Sequence, residues 1–237
     1  RIAVINNSPL RIEEMPTGPL PELVERSELG PLLLFAGNVG RYQGLQRLAE
    51  AALRLAPTRA FRLTFMGTGE ALPKLRETLA PWVGSHVFFL PHGSPADAMQ
   101  IMRAADFGIV SLHADVFRYA FPSKTMTYFA AGCPVVALAE PESELCQTVL
   151  DGALGYAPLS DDVDGWVGAL DRACRESDRW NVAERRRVRR VGEELFGERR
   201  MLKAWDELWA GLAPAANGAG TMPSETPGPG AAQKLAS

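Results

Sequence analysis

Six short expected strands, each followed by a stretch of helical spacing, constrain this chain more than any other feature. They are Leu32 to Ala36, Phe61 to Met66, Val87 to Leu90, Phe107 to Ser111, Val135 to Leu138 and Gly155 to Ala157. Strands that alternate with helices settle into a parallel sheet with helices on both faces. Val135 to Leu138 is wholly apolar, as expected of a strand covered on both sides. The expected fold class is α/β, a doubly wound parallel sheet, and such sheets bind ligands at the carboxyl ends of their strands.

The helical stretches carry their own signals. Leu45 to Leu55 places Leu45, Leu48, Ala49, Ala52, Leu53 and Leu55 on one stripe. Helices are also predicted from Pro73 to about Ala80, from Pro95 to Ala104 and from Ser143 to Leu150. Asp161 to Ser177 is amphipathic through Val163, Trp166, Val167, Leu170, Ala173 and Cys174. Asn181 to Leu212 reads as one long helical stretch, broken near Gly192 or Gly197. Its arginines, Arg185, Arg186, Arg187, Arg189 and Arg190, could face an anionic membrane. Glu184, Glu193 and Glu194 interleave with them, which favours a solvated face. Trp205, Leu208, Trp209 and Leu212 share a face and suggest packing.

Chemistry concentrates in Phe121 to Leu138, FPSKTMTYFAAGCPVVAL. Pro122 suits a first helical turn, and Ser123 could cap that turn from just outside or inside it. Met126, Phe129 and Ala130 are the predicted core face, and Gly132 the predicted left-handed stop. The first-turn amides around Lys124, Thr125 and Met126 carry the positive end of the helix dipole, and Lys124 adds a full charge, so the turn can bind phosphate. The plain alternative is an ordinary capped helix with a surface lysine. A second candidate is the loop after the first strand, with Gly37, Gly40 and Gly44, where backbone amides can approach phosphate. It lacks the GxGxxG spacing of a dinucleotide site, and a simple turn would read the same.

Composition narrows the class. An apolar share of 46% and a charged share of 22% are those of a globular protein. A formal net charge of −3 argues against a nucleic-acid partner. Cys133, Cys146 and Cys174 are too few and too scattered for a disulfide framework or zinc site, and suggest reduced thiols in the cytoplasm. His86, His92 and His113 have no metal-ligand spacing, and no metal or other cofactor is expected. No apolar run approaches the length of about 18 residues that a membrane helix needs. A start at Arg1, with no signal peptide, suggests a fragment or processed chain. After Ala213 the composition is that of a disordered tail.

Pro-Ser-Lys, an aromatic, then Ala-Ala-Gly-x-Pro-Val-Val resembles the donor-binding helix of family-four glycosyltransferases, in particular the branch that builds bacterial surface polysaccharides. The resemblance implies the GT-B fold, two Rossmann-like domains facing each other, with this chain as the C-terminal, nucleotide-sugar-binding half. Val4-Ile5-Asn6-Asn7 would mark the crossing between halves. Residues 1–30 are then crossing and lead-in, 31–212 the donor domain, and 213–237 a tail. The implied partners are a UDP- or GDP-linked sugar, a missing N-terminal acceptor-binding domain, and a lipid-linked or glycan acceptor. The implied location is cytoplasmic, with peripheral docking at the inner membrane face as an option.

The resemblance also implies roles. Gly37-Asn38 and Gln43-Gly44 fall where many family members carry an arginine and a lysine that grip the diphosphate. Here Lys124, with Arg41, would supply that charge. Gly67-Thr68-Gly69 resembles the Gly-x-Gly turn beside the nucleotide, and His92-Gly93 the loop near the base. Thr127 and Tyr128 would contact ribose or stack beside it. Two glutamates of the family, eight positions apart, fall on Tyr119 and Thr127, neither of them acidic. The reaction implied is retaining glycosyl transfer to a hydroxyl, with Lys124 stabilising the departing diphosphate. The missing acids favour a second reading, a non-catalytic domain of the same fold serving as an interaction or regulatory partner. A nucleotide-sugar epimerase, the third reading, would want acidic and histidine residues that this half hardly offers.

Overall fold

The computed structural model describes residues 5–9, 19–25, 27–114, 116 and 121–212. The expected tail over 213–237, the position of Tyr119, and all but the last residue of an expected strand at Ile2 to Ile5 lie outside them; Ile5 is in no strand. The sheet has six parallel strands: β1 (Leu32–Ala36), β2 (Arg62–Met66), β3 (Val87–Leu90), β4 (Phe107–Ser111), β5 (Val135–Leu138) and β6 (Gly155–Tyr156). Their order is β3-β2-β1-β4-β5-β6. The chain therefore winds outward from β1 in one direction, then returns and winds outward in the other. Every residue of β1, β2, β4 and β5 is buried. That explains why β1 and β5 lack the polar alternation of a half-exposed strand, while in β2 the polar Arg62 and Thr64 are buried all the same.

A short helix, α1 (Glu22–Glu25), precedes the sheet. The helices that follow are α2 (Leu45–Leu55), α3 (Leu72–Leu79), α4 (Pro95–Ala104), α5 (Ser123–Ala131), α6 (Glu144–Asp151), α7 (Val163–Arg175), α8 (Val182–Phe196) and α9 (Glu198–Leu212). α2 packs against α3 and α7; α5 packs against α4 and α8. These are the two helical layers that right-handed crossovers produce on the two faces of such a sheet. The expected α7 stripe holds, with Trp166, Leu170, Ala173 and Cys174 buried and Val163 and Val167 half-buried against the core. All three cysteines are buried and unpaired.

The long C-terminal stretch breaks at Gly197, whose ψ of 148° leaves the helical region. Gly192 stays inside α8, where a Cβ would stand 2.5 Å from the Cβ of Phe129. Its lack of a side chain lets α8 lie directly on α5. The basic run is not simply a solvated face. Arg185 donates to the carbonyls of Arg103 (2.6 Å) and Ala105 (2.8 Å) at the end of α4. Arg187 donates to Gly152 (3.0 Å) and Ala153 at the end of α6, and Arg189 to Ala131 (3.4 Å) at the end of α5. Helix C-termini leave carbonyls without intrahelical partners and carry the negative dipole end, and arginines satisfy both. Only Arg186 and Arg190 of the run are left exposed without such a contact among the described residues. On α9 the expected packing face is open: Trp205 and Trp209 are exposed, their rings 6.3 Å apart.

Candidate functional site

The strand order reverses between β1 and β4, and the loops above these two strands diverge there. A cavity of about 550 Å³ opens at this point. Its walls are the end of β1 (Ala36, Gly37, Asn38), the loop before α4 (His92, Gly93, Ser94) and the first turn of α5 (Ser123, Lys124, Thr127), with Gln43 alongside. Met66, Ala98 and Met102 add an apolar portion.

α5 begins without a cap. Its N-cap residue is Pro122, extended at φ −67° and ψ 117°, with no side chain to bond the first turn. Ser123 lies inside the helix, exposed, and caps nothing, which corrects one expected role. Thr125 N–H donates to the carbonyl of Pro122 (3.0 Å), so that amide is not free for phosphate. At the far end Gly132 takes the left-handed φ of 72°, as its position predicted. The helix is buried on two sides, by the sheet and by α8. Met126 and Phe129 are core as expected, but Ala130 is only half-buried, and Thr125, Tyr128 and Ala131 take up the remaining buried positions.

Tyr128 is not a wall of the cavity. It is fully buried. Its hydroxyl donates to the carbonyl of Leu34 (2.7 Å) and accepts from the N–H of Ala36 (2.9 Å). Its ring lies where a Cβ of Gly108 would be, 2.5 Å away. A buried tyrosine needs a partner for its hydroxyl, and β1 supplies two. Tyr128 is thus the bolt that sets α5 on the sheet, and its expected ribose contact is withdrawn.

Lys124 points into the cavity beside Gln43. Its Nζ donates to Gln43 Oε1 at 3.1 Å and stands 3.7 Å from the centre of the Phe35 ring. Burial without a carboxylate partner pushes the amine down to about 7. Thr127 is half-buried one turn along, on the same wall.

The other glycine-rich positions are organised differently from expectation. The loops after β1 and β2 are zipped together: Gly37 N–H donates to Met66, Val39 N–H to Thr68 and Ala71 N–H to Val39, all within 3.0 Å. A Cβ on Gly67, at φ 146°, would lie 2.0 Å from the Gly37 carbonyl oxygen, and one on Gly69 2.3 Å from that of Val39. Gly67 and Gly69 therefore let two loops touch; neither lines the cavity. Gly40, Arg41 and Gly44 border a separate cavity of about 400 Å³ with Arg47 and His113. Arg41 faces Glu70 there in a two-pronged exposed pair (2.7 and 3.0 Å), away from Lys124. The loop before α6 also stays out of the site. Ser143 is buried and accepts from Cys146 N–H (3.2 Å), while Glu144 borders another cavity.

Of the predicted residues, the cavity brings together Gly37, Asn38, Gln43, His92, Gly93, Ser123, Lys124 and Thr127. Sequence reasoning missed Asn7 and Ser8, which sit in what reads as a plain turn, and Met66 and Met102, which read as core. The Ser94-Pro95-x-Asp97 pattern was the available signal for Ser94. Among the described residues lining the cavity there is no aspartate or glutamate. Nor do the described residues contain a cluster of three His, Cys, Asp or Glu that could hold a metal, or a helix long and apolar enough to cross a membrane.

Known proteins of this shape supply the context. The D-inositol 3-phosphate glycosyltransferase of Nocardia farcinica is 30% identical over 190 residues, 71% of this chain and 41% of that protein. An E. coli structure described as trehalose-6-phosphate bound with UDP-2-fluoro glucose superposes with a TM-score of 0.60 at 20% identity, covering 81% of this chain and 48% of that one. A mutant of S. aureus TarM in complex with Fondaparinux, alpha-GlcNAc-glycerol and UDP gives 0.64 at 12% identity, covering 87% and 39%. At such identities the structural likeness speaks for the fold alone. The chain spans about two fifths of that curated relative and less than half of each solved structure. Residues 30–176, more than half of the chain, match the family of Glycosyl transferases group 1, and to that family the chain belongs.

Proposed function

We propose that this chain binds the nucleotide-sugar donor of a glycosyltransferase, as the C-terminal half of a two-domain GT-B enzyme. The carrying observation is the uncapped N-terminus of α5 with Lys124, opening on a cavity at the point where strand order reverses. The α5 end is the electropositive pole of the cavity and suits a diphosphate. The end formed by His92, Gly93, Met66 and Met102 offers an imidazole, backbone amide and carbonyl groups and two thioethers, and suits a base. Two proteins of the same fold are described as bound to UDP-2-fluoro glucose and to UDP, which supports a nucleotide sugar as the ligand class.

In the proposed reaction the bond between the anomeric carbon and the diphosphate breaks, and a hydroxyl acceptor joins that carbon with retention as it loses its proton. Lys124 and the α5 dipole offset the charge that gathers on the departing diphosphate, a task for which no metal is required. The donor is UDP- or GDP-linked. The acceptor, lipid-linked or glycan, and the group that takes its proton belong to an N-terminal acceptor domain. Polysaccharide or glycoconjugate synthesis is the setting, at the cytoplasmic side of the membrane.

One observation favours a second reading, that of a non-catalytic domain serving as a regulatory partner. Thr127 stands where the family carries an acid, and none of the described cavity residues is acidic. A neutral hydroxyl grips a ribose more weakly than a carboxylate does. Calorimetric titration with UDP, GDP and their sugars separates the readings. Selective binding of one nucleotide sugar, weakened about tenfold by Lys124→Ala (1.4 kcal/mol), supports the donor site. Absence of binding both here and in the full-length enzyme would sink it.

A further inference from the structure

Lys124 has an aromatic face and a neutral acceptor, but no carboxylate partner among the described residues. Its amine lies 3.7 Å from the centre of the Phe35 ring, and a Cβ on Gly37 would come no nearer than ordinary contact, 3.8 Å from Nζ. Its one hydrogen-bond acceptor among the described residues is the neutral side-chain carbonyl of Gln43. The charged groups around it are otherwise occupied or remote. Asp97 of α4 accepts from Ser94 (2.7 and 2.9 Å), Arg41 is held by Glu70, and Ser123 and Thr127 of α5 carry no charge. His92 is the other titratable side chain lining the cavity.

Gln43 does not drift. Ser111 Oγ, at the end of β4, donates to its backbone carbonyl at 2.5 Å, and His113 N–H donates to that of Tyr42 at 2.9 Å. Gly44 follows at φ 61°, where a Cβ would meet the Leu112 carbonyl oxygen at 2.6 Å. The turn that carries Gln43 is thus fastened to β4, and its side chain reaches from there to α5. The amide oxygen accepts equally from an amine or an ammonium group, so it holds the nitrogen in place without fixing its charge. A carboxylate there would lock the charge on and compete with phosphate.

We propose that Gln43 is a positioning residue that parks the Lys124 amine over Phe35, from which a ligand diphosphate draws it away as the amine takes up a proton. The inference rests on the donor-site reading above. Only an N–H bond forms in the step, with a solvent proton, and the lone pair of Nζ becomes that bond. The lowered basicity of the buried amine makes the uptake visible above neutral pH. A nucleotide sugar carries a diphosphate diester with no group that titrates near neutrality, so a proton taken up must reside on the protein.

Two measurements test this. The first needs no ligand: the Lys124 side-chain carbon resonance is titrated by NMR in the wild type, Gln43→Glu and Gln43→Leu, with Lys124→Arg for assignment. The expected midpoint in Gln43→Glu is about one pH unit or more above the wild type; an unchanged midpoint overturns the contact. The second is calorimetry with UDP-glucose and GDP-glucose at pH 8 in two buffers of different ionisation enthalpy. The wild type and His92→Ala are expected to take up roughly one proton on binding, whereas Gln43→Glu takes up almost none and binds about tenfold more weakly. Equal uptake by the wild type and Gln43→Glu, or loss of uptake in His92→Ala, overturns the proposal. If neither this chain nor the full-length enzyme binds UDP, GDP or any of their sugars, the donor reading fails and the displacement step fails with it. The NMR midpoints then still decide whether Gln43 holds the amine.

Discussion

Two helix N-termini, those of α4 and α5, open on the same cavity, and they are built in opposite ways. α4 closes its own end. Ser94 Oγ accepts from Asp97 N–H (3.1 Å), and Asp97 Oδ2 accepts from Ser94 N–H (2.9 Å) and Oγ (2.7 Å). The Ser94 hydroxyl and amide hold the Asp97 carboxyl below its ordinary range, so a carboxylate already occupies the positive pole. α5 has a proline at that position and a lysine in the turn. On the reading proposed above, the difference teaches that an anion site can be made by withholding a cap as much as by adding a cation. It also gives the cavity an orientation, with charge received at α5 and refused at α4.

The comparison can be broken by exchanging the ends. Pro122→Asp would give α5 a carboxylate of its own. Nucleotide-sugar affinity, read by calorimetry, should fall about a hundredfold (2.8 kcal/mol) while thermal stability holds or rises. Tyr128→Phe asks whether α5 must be bolted to β1 to serve. It strands the Ala36 N–H and the Leu34 carbonyl, and urea melts should show a loss of about 2 kcal/mol. Lys124→Ala removes the cation but leaves the uncapped turn, so affinity should drop about tenfold (1.4 kcal/mol) and no further. Ser94→Ala uncaps α4. It should cost about 1 kcal/mol of stability and leave affinity nearly unchanged, because Asp97 still guards that end.

The smallest effect is one of pH. Burial lowers the Lys124 basicity to about 7, so between there and the ordinary lysine range the unfolded chain holds a proton that the native one lacks. Stability of the unliganded protein therefore rises with pH across this window. Denaturant melts at pH 7 and 9.5 should differ through Lys124 by about 1 kcal/mol or less after solvent screening, and Lys124→Met should flatten that part of the slope. On the proposed donor reading, nucleotide-sugar affinity should run the other way and weaken as pH rises, because a diphosphate favours the charged amine.

What was legible in the chain was local. β1, β3, β4 and β5 match their expected ranges to the residue; β1 and β5 are buried on both faces and show uninterrupted hydrophobicity, and β3, only half-buried beyond Val87, is a wholly apolar run as well. The stop of α5 at Gly132 was legible because a left-handed position favours glycine. What was not legible depended on partners far away in sequence. Tyr128 reads as a site residue from its motif, and only β1, more than 90 residues earlier, reveals a structural bolt. Arg41 sits in a loop suited to phosphate but is claimed by Glu70 on the neighbouring loop. The arginines of α8 look like a solvated face because the carbonyls they satisfy end three other helices. Of the first loop, the positions Gly37, Asn38 and Gln43 that the resemblance picked out line the cavity. The resemblance could not tell which glycines face the ligand and which face another backbone.

The arginines of α8 carry a consequence for how the chain can be divided. By sheet topology alone the fold is finished at β6, and a boundary drawn after α7 would look natural. Such a cut would strip the last turns of α4, α5 and α6 of their common tie and uncover Phe129, the residue that α8 rests on through Gly192. The ligand end of α5 would still have its sequence but would lose its anchorage at the opposite end. α8 thus works as a backstay: a shortened form that keeps α5 anchored should run at least through Phe196, whose ring lies 6.2 Å from that of Phe129.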